Sequence, residues 1–516
     1  MSRAVAARFT PGPRLFCPSL RRKLRTMNTP VWGWICGWAL VWTTAGAAES
    51  GWIDLFDGRT LDGWRASENP GTFRVENGAI VAHGPRAHLF YVGRNVDEAD
   101  FRNFELEAEV RAAAGANSGI YFHTAWQEAG WPARGFEVQI NNSARLQNNY
   151  LELKKTGSLY GLRNIYKQLV PDDTWFRLRI TVQVPRVQVY LNDLLLVDYV
   201  EPDPPAAPGN RPGRRLGRGT FALQGHDPDS RVEFRRLRVR RLPDEPPPQV
   251  VRPVVNEEWR QMIELGMANF PLVDFHAHLK GGLTLEEVLV HMRRTGMNYG
   301  LAANCGLGFA ITNDAGAEAY LNSLRGAPVF IGMQAEGREW TRLFSPATVA
   351  KFDYVFTDAM TLTDPQGRRV RLWIPEEVQI SDKQAFMEHL VDTIVRILET
   401  EPVDFYANPT YLPDVLAAEY DSLWTPERKR RIIEAAARNG VAIEINSRLE
   451  LPKADFIRQA KAAGVKFTLG TNNPDREILP NTYGLRMVRE CGLSWQDMWM
   501  PKPDGQKPVQ RRGLPR

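Results

Sequence analysis

Hydrophobic and polar residues alternate with a period of two through residues 51 to about 242. Phe104–Arg111 reads FELEAEVR, and Ser118–Thr124, Gly135–Asn141, Phe176–Val184, Val187–Asn192, Gly219–Gln224 and Arg231–Arg240 behave alike. Such alternation puts successive side chains on opposite faces of a strand. Many short strands with hardly a helical period predict an antiparallel sandwich or jelly roll. Asn192-Asp193 predicts a hairpin turn between Val187–Leu191 and Leu194–Tyr199. Pro202–Pro212 predicts an exposed loop before the last two strands.

From about residue 256 the period changes. Strand-like runs at Leu272–His278, Tyr299–Asn304, Pro328–Ala335, Tyr354–Asp358, Val403–Ala407, Val441–Ile445 and Lys466–Gly470 alternate with helical ones. Thr284-Leu285-Glu286-Glu287 predicts a capping box, and Thr425–Asn439 a helix that starts Thr-Pro-Glu-Arg and ends Asn-Gly. Seven strand–helix units predict a seven-stranded variant of the TIM barrel, residues 256–504. A Pro-rich linker, 243–255, joins the halves. Trp495–Trp499 predicts a terminal segment packed on the barrel, and residues 505–516 a disordered tail.

Composition changes the picture at the N-terminus. Residues 1–48 hold seven Lys/Arg and no acid, and without them the net charge of +5 becomes −2. A near-neutral remainder gives no case for a nucleic-acid partner. The basic stretch precedes apolar Val31–Ala48, which ends in small residues. This predicts a secretory leader cut near Ala47 or Ala48, hence an exported protein, periplasmic or secreted, with no stable membrane insertion after cleavage. The alternative is a membrane anchor. The start is Met1 or Met27, and Arg21-Arg22 permits a twin-arginine signal. Cys17 and Cys36 lie in the leader, leaving Cys305 and Cys491 as two buried thiols. Oligomeric state is left open.

The alternation sorts candidate chemistry onto faces. Tyr121 and His123 oppose Ile120 and Phe122; Glu137 and Gln139 oppose Phe136, Val138 and Ile140; Gln224 opposes Phe221 and Leu223, with His226 just beyond. A sheet face of Tyr, His, Glu and Gln suits a carbohydrate, which offers hydroxyls and an apolar ring face, or is a plain solvated face. In the second half the strands end in His276/His278, Asn304-Cys305, Glu336, Asp358, Asn408, Glu444/Asn446 and Asn472-Asn473. Barrel strand ends converge on one mouth, where such folds place their chemistry. His276 and His278, two residues apart on a strand, aim two imidazoles at one point.

Two resemblances follow from these residues. Leu55-Phe56-Asp57-Gly58-Arg59-Thr60-Leu61-Asp62-Gly63-Trp64, Ala116-Asn117-Ser118-Gly119-Ile120-Tyr121-Phe122, Gly135-Phe136-Glu137-Val138-Gln139-Ile140, Thr156-Gly157-Ser158-Leu159-Tyr160-Gly161 and Leu223-Gln224-Gly225-His226 stand in the order of the 3-keto-disaccharide hydrolase family. Residues 51–242 resemble that family, a concanavalin-like jelly roll. The resemblance implies cleavage of a glycosidic bond beside a 3-keto sugar, with Glu137 as base and His226 as second candidate. Asn117, Tyr121, His123, Gln139, Tyr160 and Gln224 are the expected substrate contacts. This chain has His123 where the family usually has Arg, and Asn141-Asn142 where it has Asp.

Asp274-Phe275-His276-Ala277-His278, Glu336, Ala407-Asn408-Pro409, Glu444-Ile445-Asn446 and Leu469-Gly470-Thr471-Asn472-Asn473 resemble the motifs of the PHP family of metal-dependent phosphoesterases, and more loosely the amidohydrolases. The resemblance implies one divalent ion, Zn or Mn, on His276, His278 and Glu336, with Asp358 or Glu444 as base. Asn408 and the Asn472-Asn473 pair stand at positions where the family has ligands. A site without metal would instead bind a polyol through Asn408, Asn446 and Asn472. Lys280 and Arg338 near the mouth suit an anionic substrate or are surface charges. The sequence therefore predicts an exported carbohydrate hydrolase, a sandwich that only binds glycan and presents it to the barrel, or two non-catalytic binding modules.

Overall fold

The computed structural model describes residues 51–95, 98–206, 211–245 and 250–515. The leader and its cleavage site lie outside them, as do parts of the Pro202–Pro212 loop and of the linker.

Residues 51–242 form two main antiparallel sheets, beside a two-stranded ribbon of Leu146–Gln147 and Tyr150–Leu151. The larger has eight strands, with Phe104–Ala112 paired to Phe176–Gln183 on one side and to Val232–Arg241 on the other. The smaller has five, in the order Trp64–Ala66, Ala87–Tyr91, Thr220–Gly225, Ser118–Thr124, Phe136–Ile140. The apolar face of each alternating strand enters the core, where Phe101, Phe104, Phe122, Phe136 and Phe221 interlock. The Asn192-Asp193 hairpin is as predicted, with both residues at positive φ.

Residues 273–470 close a parallel barrel of seven strands: Val273–Ala277, Asn298–Gly306, Phe330–Glu336, Tyr354–Thr357, Phe405–Tyr406, Ala442–Asn446 and Phe467–Gly470. Each predicted strand is present. Thr284 accepts from Glu287 N–H in the predicted capping box, and Pro426–Asn439 runs from Thr425 to a left-handed Gly440. The fold class is thus an all-β jelly-roll sandwich followed by a (β/α)7 barrel. Tyr354, Phe356 and Phe405 stack in the barrel, and Trp499 packs edge-on against Phe275, as expected of the terminal segment. Cys305 and Cys491 are free and buried.

The C-terminal residues depart from the disorder predicted for them. Pro508–Arg512 is helical, Val509 is buried, and Lys507 Nζ donates to the carbonyls of Ala350 and Phe352. A lysine that caps carbonyl groups of another helix cannot be read from local composition. Among the described residues no helix is long and apolar enough to cross a membrane.

Candidate functional site

The outer face of the five-stranded sheet carries a cavity of about 220 Å³ lined by Asn117, Tyr121, Trp131, Glu137, Gln139, Glu152, Tyr160, Arg211, Gln224 and His226. Strand register assembles its floor. Tyr121 lies opposite Glu137 on one neighbour and Ala222 on the other, so residues 121, 137 and 224 meet on one face. The Tyr121 hydroxyl donates to Glu137 Oε2 at 2.7 Å, and Gln224 Nε2 donates to Glu137 Oε1 at 3.0 Å. Arg214 approaches the same carboxylate at 3.6 Å. Burial, then the Glu137 charge, raise the Tyr121 hydroxyl well above its ordinary value, so it stays a donor. Gly119 makes room for this group: a Cβ there would stand 2.7 Å from Glu137 Oε1.

Gln139 Nε2 donates to Asn117 Oδ1 at 2.8 Å, while the acceptor oxygens of Gln139 and Gln224 lack protein partners. His226 Nδ1 donates to Asp227 Oδ2 at 2.8 Å, which orients its ring and leaves Nε2 unprotonated in the neutral form. Burial works against ionisation of Asp227, but its bonds from His226, Ser230 and the Asp229 N–H hold that carboxyl far below the usual range. Trp131 packs on His226 at 5.3 Å and is 39% exposed, an indole face beside polar groups.

Of the expected contacts, Asn117, Tyr121, Glu137, Gln139, Tyr160, Gln224 and His226 line one cavity. His123 does not. At φ +54 it forms a bulge, because one step on the partner strand, Phe221 to Thr220, spans Phe122 to Thr124. Its ring turns away, to the Arg102 carbonyl and the Gly217 N–H, and packs on Phe104. Trp131, Glu152 and Arg211 were not anticipated. Trp131 sits in a Gly/Pro loop without alternation, and Glu152 belongs to a short run, Tyr150–Lys155, that reads as a solvated edge.

His88 lies behind this wall, fully buried, its ring against Tyr121 and Trp131 and both nitrogens without partners. Burial pushes it down to about 4. The unfolded chain therefore takes up this proton first, and stability falls as pH drops from about 6.5 towards 4. His88→Phe should remove roughly 1–2 kcal/mol of the loss between pH 7.5 and pH 5, read from urea midpoints at the two pH values. An unchanged acid-side loss would show that His88 is not its source.

The barrel mouth gathers the second set. His276 Nδ1 donates to Glu444 Oε1 at 2.6 Å and its Nε2 meets Gln334 Oε1 at 3.2 Å. Asn304 Nδ2 bridges Gln334 and Glu336, each at 2.9 Å. Asn408 Nδ2 donates to Asp358 Oδ2 at 2.9 Å, Asn446 Nδ2 to Asn408 Oδ1 at 3.0 Å, and Asn408 N–H to Glu444 Oε2 at 2.9 Å. Glu336, Asp358, Glu444 and His276 thus belong to one hydrogen-bonded network. Gly470 allows it: a Cβ there would stand 2.1 Å from Glu444 Oε1. Burial, then the Asp358 charge, push Glu336 up to about 8. Burial opposes ionisation of Glu444, but the charge and hydrogen bond of His276 hold its carboxyl below the ordinary value.

These residues do not present a metal-ligand set as they stand. A ligating nitrogen needs a free lone pair, and both ring nitrogens of His276 face acceptor oxygens. His278 Nδ1 donates to the Ala302 carbonyl, so Nε2 is its one basic nitrogen. Among the described residues no group of three or more His, Cys, Asp or Glu is placed to hold a metal ion. Asn472 sits at φ +48 and gives its backbone N–H to the His276 carbonyl. Asn473, at the neighbouring position, holds the backbone of His278 on both sides. Arg338 is tied to Glu401, Thr357 and the Asp358 carbonyl, and so is no free cation for a substrate. Lys280 remains half-buried near Glu336.

Three known proteins and one family model match parts of this chain. A curated 3-keto-disaccharide hydrolase of Bacteroides thetaiotaomicron is 36% identical over 78 residues, 14% of this chain; the match spans 27% of that protein's length. A provisionally assigned glycosyl hydrolase from Parabacteroides distasonis is 22% identical over 37% of this chain and 94% of its own, with a TM-score of 0.32. Histidinol phosphate phosphatase from Lactococcus lactis, solved with zinc, L-histidinol and phosphate, is 15% identical over 45% of this chain and 100% of its own, with a TM-score of 0.33. Residues 51–240, the sandwich with its cavity, match the model of the 3-keto-alpha-glucoside-1,2-lyase-like domain family.

Proposed function

We propose that the sandwich cavity cleaves a glycosidic bond beside a 3-keto sugar, in a protein exported by its N-terminal leader. The carrying observation is Glu137, a buried carboxylate oriented by Tyr121 and Gln224 on the floor of a polar cavity with an indole at its side. A ketone at C3 acidifies the proton on C2, so one well-placed base can begin the reaction. Glu137 takes that proton. The C2–H electron pair becomes the C1=C2 bond, and the C1–O bond breaks. The leaving oxygen takes a proton from His226 when that ring is protonated, its Nδ1 being held by Asp227. Water added back across C1=C2 completes a net hydrolysis. Arg211 and the Asn117–Gln139 pair offer donors for ketone and hydroxyl oxygens, and Trp131 a face for a sugar ring. The test is turnover of a 3-keto-glucoside by the full chain, with Glu137→Gln as the matched inactive variant. Equal rates for the two would reject this chemistry, and binding without turnover would favour a glycan-binding sandwich.

For the barrel, a polar site without metal is the reading its donor set favours, since His276 is committed to Glu444 and Gln334. Protein purified without chelator should carry well under one equivalent of Zn or Mn, and EDTA dialysis should leave its melting temperature unchanged. One tightly held equivalent, lost in His278→Ala, would instead establish a metal centre and reopen metal-dependent hydrolysis there.

A further inference from the structure

One wall of the sandwich cavity is fixed from outside the sandwich. Glu152 and Tyr160 line the cavity. Glu152 Oε2 accepts from the hydroxyls of Tyr150 at 2.9 Å and Tyr160 at 3.2 Å, and Glu152 Oε1 from Lys154 Nζ at 2.8 Å. Lys154 is wholly buried, its ammonium 4.4 Å from the centre of the Tyr160 ring. A buried ammonium needs every partner it can find. Its remaining partner comes from the second half of the chain: Asn269 Oδ1, at 3.1 Å.

Asn269 follows the helix Glu257–Met267 that leads into the barrel, is 2% exposed and sits at φ +64. Its side chain grips the cavity segment as a neighbouring strand would. Oδ1 also accepts from Leu153 N–H at 3.0 Å, and Nδ2 donates to the Leu151 carbonyl at 2.7 Å. The other end of the wall is clamped too. Beyond Tyr160, the Tyr166 hydroxyl donates to the Phe270 carbonyl, Arg163 to the carbonyls of Arg293 and Arg294, and Asn298 to the Asn164 carbonyl. A Cβ on Gly161 would overlap Met267 Sδ at 1.8 Å, so the two halves approach closely there.

We propose that Asn269 is a positioning residue for the sugar cavity: through Lys154 it sets the Glu152–Tyr160 wall, so the sandwich site is complete only when joined to this barrel. The carboxylate so held is an acceptor for a sugar hydroxyl, which places its effect on binding more than on the chemical step. This rests on the reading of the cavity given above.

The test uses the full chain. Asn269→Gly keeps the positive φ and removes only the side chain. It is expected to raise KM for the 3-keto-glucoside about ten-fold, with kcat changed far less. Asn269→Asp keeps the acceptor for Lys154 and Leu153 and should restore most of the affinity. Lys154→Met leaves Asn269 in place, breaks the same relay and should raise KM similarly. Unchanged KM in both Asn269→Gly and Lys154→Met overturns the proposal, as does equal loss in the Gly and Asp variants. A crystal structure of Asn269→Gly supplies a readout without substrate. Displacement of Glu152 and Lys154 supports the positioning role even if the sugar chemistry fails, and an unmoved pair refutes it even if that chemistry holds.

Discussion

Glu137→Gln is expected to lower kcat on a 3-keto-glucoside by about three orders of magnitude, the span of a lost general base, with KM changed little. The substitution keeps shape and burial, so the fold should survive. What goes is the carboxylate that can take the C2 proton. Tyr121 and Gln224 both donate to that carboxylate, which orients it without neutralising it. Tyr121→Phe should therefore cost much less, about ten-fold, because it removes an orienting hydrogen bond and leaves the base. A Glu137→Gln protein that turns over as wild type, with unchanged melting temperature, would remove Glu137 from the mechanism. In that event His226, paired to Asp227 at the same cavity, becomes the base to test.

The second large effect is on stability. Glu444→Ala should destabilise the barrel by about 3–5 kcal/mol, the cost of taking one partner out of a buried, hydrogen-bonded carboxylate–imidazole pair. Both partners have fully buried side chains. The loss strands His276 Nδ1, the Asn408 N–H and one donor of Asn446 at once. For a domain of this size that is a fall in melting temperature of roughly 10 °C. The pH dependence has a definite sign. Folding holds the Glu444 carboxyl below its ordinary value of 4.5, so the unfolded chain protonates first as pH falls. The stabilisation is present above that value and is lost as pH drops through the folded one. Glu336 acts oppositely. Its folded carboxyl keeps its proton up to about 8, so its contribution weakens as pH rises from 4.5 towards 8. Differential scanning calorimetry across pH 4–9 checks both limbs. A Glu444→Ala protein that melts within 2–3 °C of wild type, about 1 kcal/mol, would show that the pair contributes little.

Much of this architecture is legible in the sequence alone. Alternation through Ser118–Thr124 and Phe136–Ile140 separates apolar from polar faces, because pleat geometry is local, and it grouped Tyr121, Glu137 and Gln139 correctly. The same rule misplaced His123, since a single bulge shifts the phase and no local pattern announces it. In the barrel, the polar residues ending each strand do converge on one mouth, as parallel closure requires. Their pairing could not be anticipated. Nothing local in the His-x-His pattern places Glu444 and Gln334, 168 and 58 residues away in sequence, against the two nitrogens of His276.

By itself, then, the sequence determined the two fold types, the seven barrel strands, the capped helices and the face on which Glu137 lies. These follow from periodicity and short-range sterics, which each segment carries within itself. Only the tertiary structure decided which nitrogen of His276 meets which oxygen, that Trp131, Glu152 and Arg211 join the cavity, and that Asn269 reaches it from the barrel side. Those facts depend on register, closure and the docking of one half on the other. Hydrogen bonds of about 3 Å between residues more than a hundred positions apart leave no trace in local pattern.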